Sequence, residues 1–161
     1  VICRFGVMYF PNMLTGLKEL VRVLKPGGRI SLSAWSEPQK NSWATTIVDV
    51  INKMLGLPPP PLDTPGIFRC SERGTLTTLL KQAGLHSTKE VEVNGEIVFD
   101  SPEHYWGFMT DVAAPIATAL AKVDEKTREK VKLETLKETK KKSKQGKISM
   151  EWSSWITSGV K

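Results

Sequence analysis

The sequence predicts an α/β layered fold with a partly parallel sheet. Three observations carry this. Segments follow one another as strand, helix, strand, helix, helix, strand; the first helix passes into a strand through the tight turn Lys25-Pro26-Gly27-Gly28; and a strand rich in aromatic and β-branched residues closes the chain. The 161 residues suit one domain, and an apolar fraction of 40% with 25% charged residues is that of a globular protein able to bury a core.

Each element has a local cause. The opening VICRFGVMYF begins apolar without a preceding cap or turn, as a strand does when the chain starts within it. Met13, Leu14, Leu17, Leu20, Val21 and Leu24 recur at three- and four-residue steps, which places one apolar stripe on a helix capped by Asn12. Pro26 disfavours helical backbone at Lys25, the two glycines permit the turn, and Arg29–Trp35 comes next as a strand. A second helix is expected from Ser42 to Leu55, started by Asn41 or Ser42, with Trp43, Ile47, Val50, Ile51 and Met54 on one face and Gly56 at its end.

LPPPPLDTPG, residues 57–66, reads as a semi-rigid connector, with a polyproline-module ligand as the sharper alternative. A third helix, capped by Ser71, carries Leu76, Leu79, Leu80 and Ala83 and stops at Gly84. His86–Val93 and Gly95–Phe99 are either a hairpin about Asn94-Gly95 or one bent strand. Ser101-Pro102 opens a helix bearing Tyr105, Trp106, Phe108 and Met109, and Pro115 interrupts any continuation of it. From Asp124, Glu-first pairs at i,i+3 (Glu125/Arg128, Glu129/Lys132, Glu134/Lys137, Glu138/Lys141) predict a solvated helix, and Ile148–Thr157 the final strand.

The net charge of +6 is localised. Residues 122–147 hold eleven basic and five acidic side chains, leaving twelve of each elsewhere, so a basic groove for nucleic acid running through the fold is not expected. No apolar run approaches the roughly 20 residues of a transmembrane helix, and the N-terminus has no signal pattern. Cys3 and Cys70 fit neither a disulfide framework nor a zinc site; the expectation is a reduced, cytoplasmic protein without metal.

Three stretches carry a family resemblance: CRFGVMYFPNMLTGLKELVRVLKPGGRISLSAW, LLKQAGL and SSWITSGVK. Together they resemble the class I S-adenosylmethionine-dependent methyltransferases, in particular the ubiquinone/menaquinone methyltransferase-like branch. The first is similar to the family's fourth strand, the helix after it and the fifth strand; the second to the helix before the sixth strand; the third to the antiparallel seventh. The resemblance implies a partial Rossmann-like sheet, strands four to seven of seven, with residues 1–161 as the C-terminal part of one domain and 101–144 as a helical insertion before the last strand. Among twelve glycines there is no Gly-x-Gly cluster between a strand and a helix, the feature that lets backbone approach a nucleotide. The expectation is that the N-terminal, cofactor-binding half is absent and that this chain alone is inactive.

The resemblance also implies a site. Cys3, Arg4, Phe5, Gly6 and Met8, at the end of the fourth strand and the loop after it, would border the methionine end of S-adenosylmethionine; the plainer reading makes Cys3 and Phe5 core and Arg4 a surface charge. Trp35 would meet a small-molecule acceptor outside the carboxyl end of its strand. Tyr105 and Trp106 would cover that acceptor, unless they only pack the insertion. His86 and His104 read as structural or exposed, no catalytic acid or base is assigned, and methyl transfer relies chiefly on alignment and exclusion of water. Two other classes stay open: a non-catalytic interaction module pairing through the open edge of the fourth strand, and an anionic-polymer or membrane contact through Lys137–Lys147.

Overall fold

A computed structural model describes residues 1–58 and 64–161. Residues 59–63 of the proline-rich stretch, and with them its reading as connector or polyproline ligand, lie outside the described residues. The strands are β1 (Ile2–Arg4), β2 (Arg29–Trp35), β3 (His86–Phe99), β4 (Ser143–Lys144) and β5 (Lys147–Val160). The helices are α1 (Met13–Arg22), α2 (Ser42–Leu55), α3 (Thr75–Gln82), α4 (Pro102–Val112), α5 (Ala114–Ala121) and α6 (Glu125–Lys140). The strands form one sheet in the order β1-β2-β5-β3, with β4 paired to β5. β1 runs parallel to β2 and β5 antiparallel to it, so the last strand takes the antiparallel place expected of it.

The chain divides into two compact units. The first comprises the described residues of Val1–Asn41, Pro60–Gly95 and Trp152–Lys161. Its core gathers Leu17 and Val21 of α1, Ile30, Leu32 and Ala34 of β2, and Leu76 and Leu80 of α3. Asn12 caps α1 by accepting the Thr15 N–H at 2.9 Å. At the other end, Lys161 Nζ donates to the carbonyls of Val21 and Leu24, both at 2.8 Å, so a cation meets the carbonyl end of the helix. The turn after α1 closes with Gly28 N–H donating to Lys25 O at 2.8 Å; Gly27, at φ +74°, supplies the left-handed residue that a turn of this kind requires.

The second unit, Ser42–Pro59 and Glu96–Glu151, packs Ile47, Val50 and Ile51 of α2 with Phe99, Tyr105, Met109, Val131, Ile148 and Met150. Ser101 caps α4 and the helix breaks just before Pro115, as the sequence predicts; Pro115 lies in the first turn of α5, and Asp124 caps α6. The β4–β5 turn places both Gln145 and Gly146 at positive φ, the geometry that suits a two-residue hairpin. Among the described residues no helix is long and apolar enough to cross a membrane.

Three expectations change, and of the two readings of residues 86–99 the single strand holds. Ser71 does not cap α3; the cap position is Gly74 at φ +89°, whose N–H is met by the Glu90 carboxylate at 2.8 Å. Asn94-Gly95 makes no turn: β3 is one continuous strand, and Gly95 serves a close approach, since a Cβ there would come within 2.6 Å of the Trp152 ring. Met54 lies on the exposed side of α2. Finally, α6 is solvated on one side only, because Val131, Thr135 and Thr139, four residues apart, are wholly buried. Thr135 satisfies its hydroxyl on the Val131 carbonyl, which lets a polar-looking stripe enter a core. Three of the four i,i+3 ion pairs form; Arg128 donates instead to Leu120 O at 3.2 Å.

Removing either end of α1 has a calculable effect. Asn12→Ala and Lys161→Met should each cost about 1 kcal/mol, whereas Leu17→Ala, wholly buried, should cost about 2–5 kcal/mol. Urea midpoints at constant m-value measure all three.

Candidate functional site

The site is built where two parallel strands end. β1 stops at Arg4, and Phe5 turns the chain with φ +50°, a conformation that costs a side-chain-bearing residue roughly 1–2 kcal/mol. Two contacts hold it there. The Phe5 N–H donates to both the carbonyl and the hydroxyl of Ser33 in β2, each at 3.1 Å. The Phe5 ring stacks on Trp35, the last residue of β2, at 4.2 Å between centroids and 17° between planes. Gly6 then fits beneath the Cys3 thiol, where a Cβ would lie 3.0 Å from Sγ.

Among the proposed site residues, Cys3, Phe5, Gly6 and Trp35 therefore come together, half-buried, at the carboxyl ends of β1 and β2. Arg4 is exposed. Met8 departs from the expectation: it sits in the short 3-10 turn Val7–Tyr9 and is only 1% exposed within the core, so its side chain is engaged in packing. In the second unit Tyr105 is wholly buried, its hydroxyl donating to Trp43 O at 2.9 Å and accepting from Ile47 N–H at 3.3 Å. Burial pushes its phenol pKa well up, and such a ring is a core residue rather than a surface for an acceptor. Trp106 is half-buried against the same core. His86 is exposed, and exposed His104 accepts the Asp100 N–H at 3.3 Å beside the Phe99 ring.

Sequence reasoning missed the polar frame behind this corner. Asn41, wholly buried, donates to the carbonyls of Ser36 and Glu37 and accepts the Ser153 N–H at 3.1 Å. Glu92 accepts from Lys40 at 2.6 Å and from the Ser153 hydroxyl at 2.8 Å; these two hydrogen bonds, Lys40 first, hold its carboxyl below the usual range. Trp155 donates its indole N–H to Ser71 O at 2.7 Å, with Lys40 and Arg73 over its ring. The bonds of Asn41 and Glu92 to Ser153, of Lys40 to Glu92 and of Trp155 to Ser71 join residues 52–112 positions apart, and no local pattern announces them. Among the described residues no group of three or more His, Cys, Asp or Glu could hold a metal ion.

Comparison with known proteins bears on this strand-turn-helix-strand segment directly. The model of the ubiE/COQ5 methyltransferase family matches residues 1–56. This first third is ubiE/COQ5-like. No curated protein matches the chain in sequence. Among solved structures, the YcgJ protein from Bacillus subtilis is 17% identical with a TM-score of 0.51, covering 99% of this chain and 62% of its own. A candidate methyltransferase from Bacillus halodurans C-125 is 18% identical over the same shares, with a TM-score of 0.48. Phosphoethanolamine N-methyltransferase 2 from Haemonchus contortus, solved with phosphomonomethylethanolamine and S-adenosylhomocysteine, is 10% identical with a TM-score of 0.43, covering 100% of this chain and 32% of its own. Of these, the YcgJ likeness speaks to fold. The likeness to YcgJ shows an α/β fold with a Rossmann-like sheet, and the first third of the chain is similar to a methyltransferase family. The chain spans 62% of the length of both bacterial structures.

Burial and hydrogen bonding have two measurable outcomes here. Cys70 is 1% exposed and burial pushes its thiol pKa up to about 11, so one thiol, Cys3, should react with Ellman's reagent in the native protein at pH 8 and two in denaturant. Glu92 is depressed in the fold, so its contribution is present above its unfolded pKa and is lost as pH falls through the lower folded value. Glu92→Gln should accordingly flatten the fall in melting temperature between pH 5 and pH 3.

Proposed function

We propose that this chain is part of an S-adenosylmethionine-dependent methyltransferase that acts on a small-molecule acceptor, in the cytoplasm. The observation that carries the reading is the left-handed turn at Phe5, stacked on Trp35, within the segment that matches a methyltransferase family. Open α/β sheets bind ligands outside the carboxyl ends of their strands, and both residues lie there. Cys3, Phe5 and Gly6 fit one wall of a cofactor's methionine end, with the Cys3 thiol packed over Gly6. Met8, turned into the core, does not.

When bound, S-adenosylmethionine supplies a methyl group activated by a positively charged sulfur. This chain's own residues need not move a proton for the transfer; Phe5 and Trp35 exclude water and fix the approach, so proximity and orientation carry the rate. The sequence contains no Gly-x-Gly cluster to cradle the nucleoside. Cofactor affinity is therefore assigned to further residues of the complete domain, and activity to the domain as a whole. Residues 101–144 remain, in this reading, an insertion before the last strand.

One further reading has an observation behind it. β1 is an edge of the sheet among the described residues, and Ile2 is 84% exposed, which suits a chain that pairs with another polypeptide through this edge. The lysine segment has less to offer an anionic polymer or membrane: Lys137, Lys141, Lys144 and Lys147 each face a carboxylate.

Isothermal titration with S-adenosylhomocysteine tests the main reading. This chain alone should show no micromolar binding, and a version carrying an upstream glycine-rich strand and turn should show it. Equal, absent binding in both would sink the methyltransferase reading, whereas micromolar binding by this chain unaided would overturn the division of labour.

A further inference from the structure

We propose that Arg69 is a positioning residue for the candidate site: it holds the far end of the loop that runs from the Phe5 turn into α1, and so sets the wall offered to a cofactor's methionine end. This rests on reading that turn as lining the cofactor. Phe5 is fixed from β2 by Ser33 and Trp35, but the chain then crosses Gly6 to Pro11 outside the strands before α1 begins. Some of this loop is held from within, since the Gly6 and Val7 carbonyls accept the N–H groups of Tyr9 and Phe10 at 3.0 and 3.1 Å. The carbonyls of Met8, Phe10 and Pro11 are met from a distant part of the chain. Gly66 N–H donates to Met8 O at 3.3 Å. The Arg69 guanidinium donates to Phe10 O through Nη1 and to Pro11 O through Nη2, the latter at 3.4 Å, across 59 and 58 positions of sequence.

The arginine is itself held on both sides. Its own N–H donates to Gly66 O at 3.2 Å. Cys70, the next residue, is buried with its thiol 3.5 Å from Met13 Sδ, and the Ser71 carbonyl accepts the Trp155 indole N–H at 2.7 Å. The guanidinium is half-buried, and its planar fork offers separate nitrogens to two successive carbonyls, which a single ammonium does less well. Across the loop the Phe10 ring lies on α1 at Gly16, where a Cβ would overlap it. The loop is thus pinned at Phe5 by β2 and at Phe10 and Pro11 by Arg69, and Gly6, beneath the Cys3 thiol, lies between the two pins. Removing one pin frees the turn without removing any of its side chains.

The test has two arms. The first measures how fast Cys3, identified by peptide mapping, reacts with iodoacetamide at pH 8 in the whole chain and in Arg69→Ala, Arg69→Lys and Leu85→Ala. Leu85→Ala is the control for general loosening, because it opens the core beside Gly159, opposite Ile30 and away from the turn that follows β1. Arg69→Ala should speed the reaction about threefold to tenfold and Arg69→Lys by less, while Leu85→Ala, at an equal or larger fall in melting temperature, should leave it within about twofold. The second arm titrates the N-terminally extended chain with S-adenosylhomocysteine, where Arg69→Ala should weaken binding about tenfold and Arg69→Lys restore part of it. Should Arg69→Ala fail to fold, Arg69→Met, which keeps the apolar stem, carries both comparisons. An unchanged Cys3 rate in Arg69→Ala would overturn the clamp. A faster Cys3 with unchanged affinity would deny Arg69 a part in cofactor binding and leave the methyltransferase reading standing. No binding by the extended chain with Arg69 in place would sink that reading, and the role of Arg69 with it, whatever the Cys3 rates.

Discussion

β2 carries the constraint on which the first unit depends. It hydrogen-bonds to β5 along all seven residues and to β1 over three, so its backbone is committed on both sides. Its alternation then fixes what each side of the sheet receives. Ile30, Leu32 and Ala34 enter the core with α1 and α3, while Ser33 and Trp35 turn to the other face and meet Phe5. A slip of one residue would exchange these sets and remove both the core and the aromatic stack.

The candidate site inherits its rigidity from that strand. Phe5 occupies an unfavourable backbone conformation only because Ser33 and Trp35 compensate it from the neighbouring strand. On the other side of β2, Asn41, Glu92 and Ser153 are joined by hydrogen bonds, several of them buried. Replacing one member would leave others unsatisfied away from water, which is why such a frame holds its geometry. The Phe5 ring, although it lies in the turn after β1, is thus held by β2.

Legibility varied with the range of the cause. Caps at Asn12, Ser101 and Asp124, the turn at Pro26-Gly27, and the break at Pro115 are local effects, and each stands where its residues indicate. The parallel pairing of β1 and β2 was legible too, because a helix between two strands leaves few alternatives. Ser71 misled because α3 begins three residues later, with Gly74 at the cap position and its N–H met by Glu90 of β3. Within α6, threonines buried among apolar neighbours erased the periodicity by which a buried face is recognised.

By itself the sequence determined most element types, most of their ends, the α/β class and the strand-turn-helix-strand segment that resembles a methyltransferase family, since these depend on spacing, caps and breakers within a few residues. Tertiary structure alone decided that Asn94-Gly95 is the seat of a tryptophan and not a turn, that Met8 and Tyr105 belong to cores, and that Phe5, Trp35 and Trp152 meet. The physical reason is separation: Gly95 and Trp152 stand far apart in the chain, and the clash that makes glycine necessary exists only once β3 and β5 lie side by side.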